Sequence, residues 1–334
     1  MSEITIPQLS LIIILVVTCI VTSFSTDYKA RRIRNQIAQG QKQLAIMNNK
    51  KGVQESEINR VQKTLNKLEK ELSQVEKSSF FPSLPQGGSV STRIRSSLPY
   101  IAGIIVGVIV GAIVIVLIPI IVIVVIFTLA TLVGSSGLLS EFVNSERKAI
   151  ALSTIPAGLY ALTQVFVLYR LYNLFDSVFW LFDIVVVLSL IGVSMILGKE
   201  LQLEIAIIIV AILAFWDIYA VLFSPIMGEA VSNLGYTLFS VLIPSGTGGL
   251  NNRMLYSLLG GGDFFFSYLL VTAFTRKLKA IPVALIVLIG ASVTGLVVAM
   301  AIIGLKMAPA LPAVLVAGLL AILYYRDDLK KKTG

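Results

Sequence analysis

The chain has 334 residues, 56% of them hydrophobic and 13% charged; soluble domains carry about twice that charged fraction. One cysteine and no histidine exclude an internal disulfide, a Ser–His hydrolase, a HExxH zinc protease and a His-ligated metal site. The formal net charge of +9 is local, since residues 25–98 hold 14 Lys/Arg against 6 Asp/Glu, and it gives no argument for nucleic-acid binding.

The apolar surplus lies in long runs, which predicts an all-α polytopic membrane protein, because helices satisfy their own backbone polar groups in lipid. The first run, about 8–24, is preceded by one charged residue, Glu3, and followed by "YKARRIR". That pattern fits an uncleaved anchor with its N-terminus outside, and fits a signal peptide poorly. Residues 28–77 are polar and helix-forming. Ile58, Val61, Leu65, Leu68, Leu72 and Val75 recur at alternating steps of three and four, an a/d seam. Ile33, Ile37, Leu44 and Met47 keep a similar phase, with Gly40 in the missing slot, and "NNKKG" between the two stretches reads as a turn. Two arrangements remain open: an antiparallel coiled-coil hairpin, or one long helix that pairs with another chain. Residues 79–97 read as a Pro/Gly/Ser linker.

From 99 to about 135 the sequence is almost unbroken hydrophobic, with Pro119 near the middle. A single helix there would far exceed the ~30 Å hydrocarbon core, so two short spans with a tight turn are expected. Further spans follow at about 149–171, 177–197, 202–223, 255–273, 281–303 and 308–325, which makes about nine. The count places the basic stretches 25–98, Arg147–Lys148, Arg276–Lys279 and the tail "RDDLKKKTG" together on the cytoplasmic side. The expected organisation is an anchor (1–24), a basic cytoplasmic coiled-coil segment and linker (25–98), a membrane-embedded core (99–325) and a basic tail (326–334).

Three carboxylates fall inside apolar spans: Asp183, Asp217 and Asp263. Each costs several kcal/mol if charged at mid-bilayer, so each is a functional candidate by default. Asp217, in "AILAFWDIYAVLFSP", is about seven residues from the outer end of its span. Asp263, in "LLGGGDFFFSYLL", is about eight residues from the outer start of the next. Consecutive antiparallel helices would bring both to one depth, roughly 10–12 Å below the outer interface. Two close carboxylates do not easily both ionise; they share a proton, as in aspartic proteases. The ionised member takes a proton from water while the protonated member polarises a carbonyl, and no metal or cofactor is needed. Asp263 has a second reading, as a cap on a helix that starts after the glycines; "LYSLL" ahead of them argues for an earlier span start. Asp183 carries no motif and is expected to be structural or to pair with Arg170 or Lys199. "MAPALPAVL", 307–315, opens the last span: proline is common at helix starts, and Pro309 and Pro312 would also keep backbone non-helical beside a cavity, where an extended substrate could pair with it.

Together these stretches resemble the presenilin and signal peptide peptidase family of intramembrane aspartyl proteases. Gly260-Gly261-Gly262-Asp263 matches the family's GxGD motif, "WDIYAVLFSP" resembles its other aspartate segment, and Pro309-Ala310-Leu311 matches the PAL motif. The three occur in the family's order, in spans six, seven and nine of a nine-span fold, and the likeness covers roughly 99–325. The resemblance implies that Asp217 and Asp263 form a catalytic dyad, supported by Gly260, Gly261, Gly262, Pro309, Ala310, Leu311, Trp216 and Tyr219. It also implies that substrates are transmembrane helices of other proteins. Trp216 replaces the tyrosine usual before the first aspartate, which removes one hydroxyl contact. The short 224–254 stretch lacks the long self-cleaved insertion of animal presenilins, and the N-out orientation is more like signal peptide peptidases. Compact loops and scarce cysteine fit a prokaryotic, archaeal-type chain. Residues 1–98 match no feature of the family, and 28–77 offer a coiled-coil partner or self-association surface. Two rival functions are a proton- or ion-coupled transporter using the intramembrane acids as a relay and a non-enzymatic insertion or assembly factor.

Overall fold

Apolar runs without breakers make long helices, and helices dominate the protein. The structure, a computed structural model, describes residues 6–49, 55–77, 98–99, 101–103, 106–107, 119–143, 145–169, 171–223, 240–248, 253–303 and 309–331. The helices are α1 (Ile6–Ser25), α2 (Tyr28–Asn49), α3 (Glu55–Lys77), α4 (Ile120–Phe142), α5 (Glu146–Leu168), α6 (Tyr172–Glu200), α7 (Leu203–Ile218), α8 (Gly261–Leu278), α9 (Val283–Ile303), α10 (Leu311–Tyr324) and α11 (Arg326–Lys331). A hairpin of two strands, β1 (Ser240–Gly248) and β2 (Arg253–Gly260), precedes α8. Four helices, α4 to α7 with its continuation to Phe223, are each long and apolar enough to cross a membrane, and the number is five if α1 and α2 count as one broken span. α9 and α10 are apolar but have shorter qualifying stretches. Pro119 stands immediately before α4, which runs on to Phe142. Residues 108–118, the rest of the span before it, and the linker 79–97 lie outside the described residues.

The chain divides into two compact units, residues 27–83 and the remainder. In the first, α2 and α3 pack on each other around buried Ile33, Ile37 and Leu65, flanked by Leu44, Val61, Leu68 and Leu72. Of the two arrangements the a/d seam allowed, this is the hairpin, because each helix covers the other's stripe. The gap in that seam has a steric reason. Leu65 fills the space over Gly40, where an added Cβ would lie 2.7 Å from Leu65 Cδ2.

In the second unit α6 is central, packing against α4, α5, α8 and β1. α4 and α6 run parallel at close approach. Gly134 and Gly192 face each other backbone to backbone, and Gly137 lies against Ile196. Small residues allow this, and in lipid such packing replaces the hydrophobic drive. At their C-terminal ends Lys199 pairs with buried Glu141. α1 is part of this unit rather than a separate anchor: Leu15, Cys19, Thr22 and Ser23 are fully buried. Its hydroxyls reach α8, with Tyr268 Oη donating to Thr18 Oγ1 at 2.6 Å and Ser23 and Thr275 sharing a hydrogen bond of 2.9 Å. The order of these contacts makes α1 and α8 parallel.

The hairpin corrects the all-α expectation. "RMLYSLL" was expected to begin a helical span at about 255, but it forms β2, antiparallel to β1, with Leu242 opposite Leu258 and a bulge between Pro244 and Gly246. The helix expected from 255 starts at Gly261.

Candidate functional site: two carboxylates at two helix starts

Asp217 and Asp263 are on neighbouring antiparallel helices, and an ion pair fixes their level. Lys277 Nζ, near the end of α8, lies 4.0 Å from Glu204 Oε1, at the start of α7. Asp217 is thirteen residues beyond Glu204 and Asp263 fourteen before Lys277. Both therefore sit about 20 Å along the helices from that pair. The two carboxylates are close enough for the charge of Asp217 to act on Asp263. Both side chains are half-buried.

Each carboxylate also meets the start of a helix. Leu311 is the first residue of α10, after Ala310, and its backbone N–H is among those a helix leaves without an internal acceptor. That N–H donates to Asp217 Oδ2 at 3.1 Å. Pro309 and Pro312 carry no N–H of their own, so the Pro-Ala-Leu-Pro sequence has two backbone donors, those of Ala310 and Leu311, and the second meets Asp217. Asp263 is the third residue of α8 and accepts a hydrogen bond from the backbone of Gly260, the residue that caps the helix. This is the backward-reaching half of a capping box, with glycine in place of serine. A helix start favours negative charge by about 0.3–1 kcal/mol, and up to about 2 kcal/mol when partly buried. The two helix starts therefore offset part of the cost of an intramembrane carboxylate.

The position expected for Asp263 along its helix is accordingly corrected: it is in the first turn, not some eight residues in, and the capping reading holds alongside any other role. Of the glycines, Gly261 is buried, while Gly260 and Gly262 are exposed. A Cβ on Gly260 would come 3.2 Å from Asp263 Oδ2, whereas one on Gly262 would meet nothing within 4 Å. Pro309 and Ala310 are buried, and α10, which follows them, packs on α7. Trp216 and Tyr219 flank Asp217 with ring centroids 5.7 Å apart. From Tyr219 to Phe223 the helix widens to a π-turn, a local irregularity that recurs at functional positions.

Asp183 is not with the other two and does not pair with Lys199, which is bound to Glu141; Arg170 lies outside the described residues. Instead Asp183 Oδ1 accepts the backbone N–H of Leu242, in β1, at 2.8 Å. The hairpin and its anchor were the parts of this region that the sequence reading missed. Pro244 and the Gly/Ser/Thr composition after it mask a strand, and no residue pattern points from Asp183 to Leu242. Neither protein-family models nor curated proteins give a match to this chain.

Proposed function

We propose that the protein is an intramembrane aspartyl protease of the presenilin and signal peptide peptidase type, which hydrolyses peptide bonds within transmembrane helices of other membrane proteins. One observation carries the reading: two carboxylates from adjacent antiparallel helices stand at one level, within electrostatic reach, with the backbone N–H of Leu311 on one of them. Asp217 and Asp263 are the proposed dyad, and Gly260 to Gly262 and Pro309 to Leu311 shape the space around it.

The chemistry follows from the pair. With one proton between them, the ionised carboxylate accepts a proton from a water as its oxygen attacks the scissile carbonyl carbon. The protonated one donates to the carbonyl oxygen, giving a tetrahedral diol. Return of a proton to the amide nitrogen breaks the C–N bond and leaves an acid and an amine. Leu311 N–H holds the Asp217 carboxylate in place without consuming a proton. A helical substrate hides its peptide bonds, so it must be drawn out extended. The hairpin leading into Asp263 offers the outer edge of β2 for such a segment, by the strand-addition mode of peptide recognition.

The topology that accompanies this function has nine spans, the N-terminus outside and the C-terminus cytoplasmic. The parallel pairs α1/α8 and α4/α6 and the antiparallel pair α7/α8 support it, since each obeys the alternation that the count requires. In the test, purified protein is incubated with a model single-span substrate and the products are read by mass spectrometry. One new internal cleavage is expected, and none with Asp217→Ala or Asp263→Ala. Cleavage surviving in either variant would remove the dyad.

A further inference from the structure

We propose that Asp183 is a positioning residue: its carboxylate, reaching from α6, clamps the outer edge of β1 and so fixes the hairpin that continues into Gly260 and Asp263. Its consequence for cleavage rests on the protease reading; the clamp itself does not.

In an antiparallel pair, alternate residues turn their N–H groups away from the partner strand. Leu242 is such a residue, because its N–H goes to Asp183 Oδ1 at 2.8 Å. Two positions on, the next outward group belongs to Pro244, which has no N–H. The outer edge of β1 therefore has one donor taken and the next one missing. Natural proteins protect strand edges by such means. The bond at Leu242 gives the Asp183 carboxyl a backbone donor, which offsets part of the cost of burying it. It also explains an otherwise costly residue: an acid in an apolar helix is retained where it has a specific partner.

The clamp holds the same stretch of β1 that enters the core. Val241 and Leu242 are fully buried, and β1 packs on α1 and α6. β2 then enters α8 directly at Gly260, three residues before Asp263. Slack at Leu242 becomes slack in the strand pair against which an extended substrate is read, and the cleavage position loses definition. Asp183 itself touches none of the proposed reacting groups.

The experiment uses the full chain in bilayers, with Asp183→Ala and Asp183→Asn, the latter keeping a carbonyl acceptor. Two readouts are taken: amide hydrogen exchange over residues 240–248, and the distribution of cleavage positions in a model single-span substrate. For Asp183→Ala we expect exchange at Leu242 at least tenfold faster and cleavage spread over neighbouring bonds. Asp183→Asn should restore both. Should Asp183→Ala not fold, Leu242→Pro removes the donor and leaves Asp183 in place, and the same spread is expected. Unchanged exchange in Asp183→Ala overturns the clamp, and faster exchange with an unchanged cleavage pattern overturns the positioning role. Protected Leu242 in a wild-type protein that cleaves nothing sinks the protease reading alone and leaves the clamp standing.

Discussion

The glycine triplet gives the sharpest comparison of neighbouring positions. Gly260 has φ −61° and ψ 138°, a backbone that alanine adopts without strain, so Gly260→Ala acts through its methyl group alone. That methyl would stand 3.2 Å from Asp263 Oδ2, closer than ordinary van der Waals contact, and the carboxylate must shift by a few tenths of an ångström. A misplacement of about 1 Å costs about a hundredfold in rate, so the smaller shift corresponds to about a three- to tenfold loss of kcat with KM little changed. Gly262→Ala is the control. It opens on empty space inside a helix, where alanine is favoured over glycine by about 0.5–1 kcal/mol, so it should raise thermal stability and leave the carboxylate of Asp263 where it is. The assay is steady-state cleavage of a single-span substrate in detergent or bilayers, with thermal unfolding measured in parallel. Full kcat in Gly260→Ala refutes the placement of Asp263 against Gly260.

Other perturbations test separate links. Gly192→Ala drives a methyl into the Gly134 backbone across the α4–α6 contact; overpacking of this kind costs about 1–3 kcal/mol, seen as a lower unfolding temperature, and an unshifted one would contradict the close approach. Tyr268→Phe removes the hydroxyl that reaches Thr18, with a loss of about 0.5–1.5 kcal/mol expected in reversible unfolding and none if α1 and α8 are not tied there. Activity against pH should be bell-shaped, because the carboxylate pair works with one proton and fails with none or two; a flat profile would show that the pair does not share the proton. For the α2–α3 hairpin, Gly40→Leu forces a side chain onto Leu65 and should lower the helical signal of residues 27–83 on heating, which an unchanged melting curve would rule out.

Much of this architecture is written in periodicity and composition. The a/d seam places Ile33, Ile37 and Leu65 in the core of the hairpin, and Gly40 falls where Leu65 needs room. The family resemblance put Asp217 and Leu311 in one site through motif order, and the Leu311 N–H donates to Asp217 Oδ2. The strand β2 was not legible. "RMLYSLL" is a short apolar run that suits either a strand or a helix start, and a long apolar stretch on its far side biased the reading toward helix. That single misreading moved Asp263 from the first turn to mid-span and hid its bond to Gly260. The integration of α1 was equally hidden, although Thr18, Thr22, Ser23 and Thr26 put hydroxyls into an otherwise apolar run. Buried hydroxyls that bond to a neighbouring helix are a sign of an internal helix rather than of a lipid-facing anchor. Asp183 shows the limit most plainly: its partner is a backbone N–H, and a backbone group has no letter in the sequence.

The central claim is that Asp217 and Asp263 act as one unit on a reacting carbonyl. The most direct measurement is binding of a peptide in which a secondary alcohol replaces the scissile amide, because such a group mimics the tetrahedral diol between two carboxylates and should bind far more tightly than the parent peptide. Tight binding is expected in the wild-type protein and its loss in Asp217→Ala and in Asp263→Ala alike. Equal binding of alcohol and parent peptide, or tight binding retained after removal of either aspartate, would contradict the account.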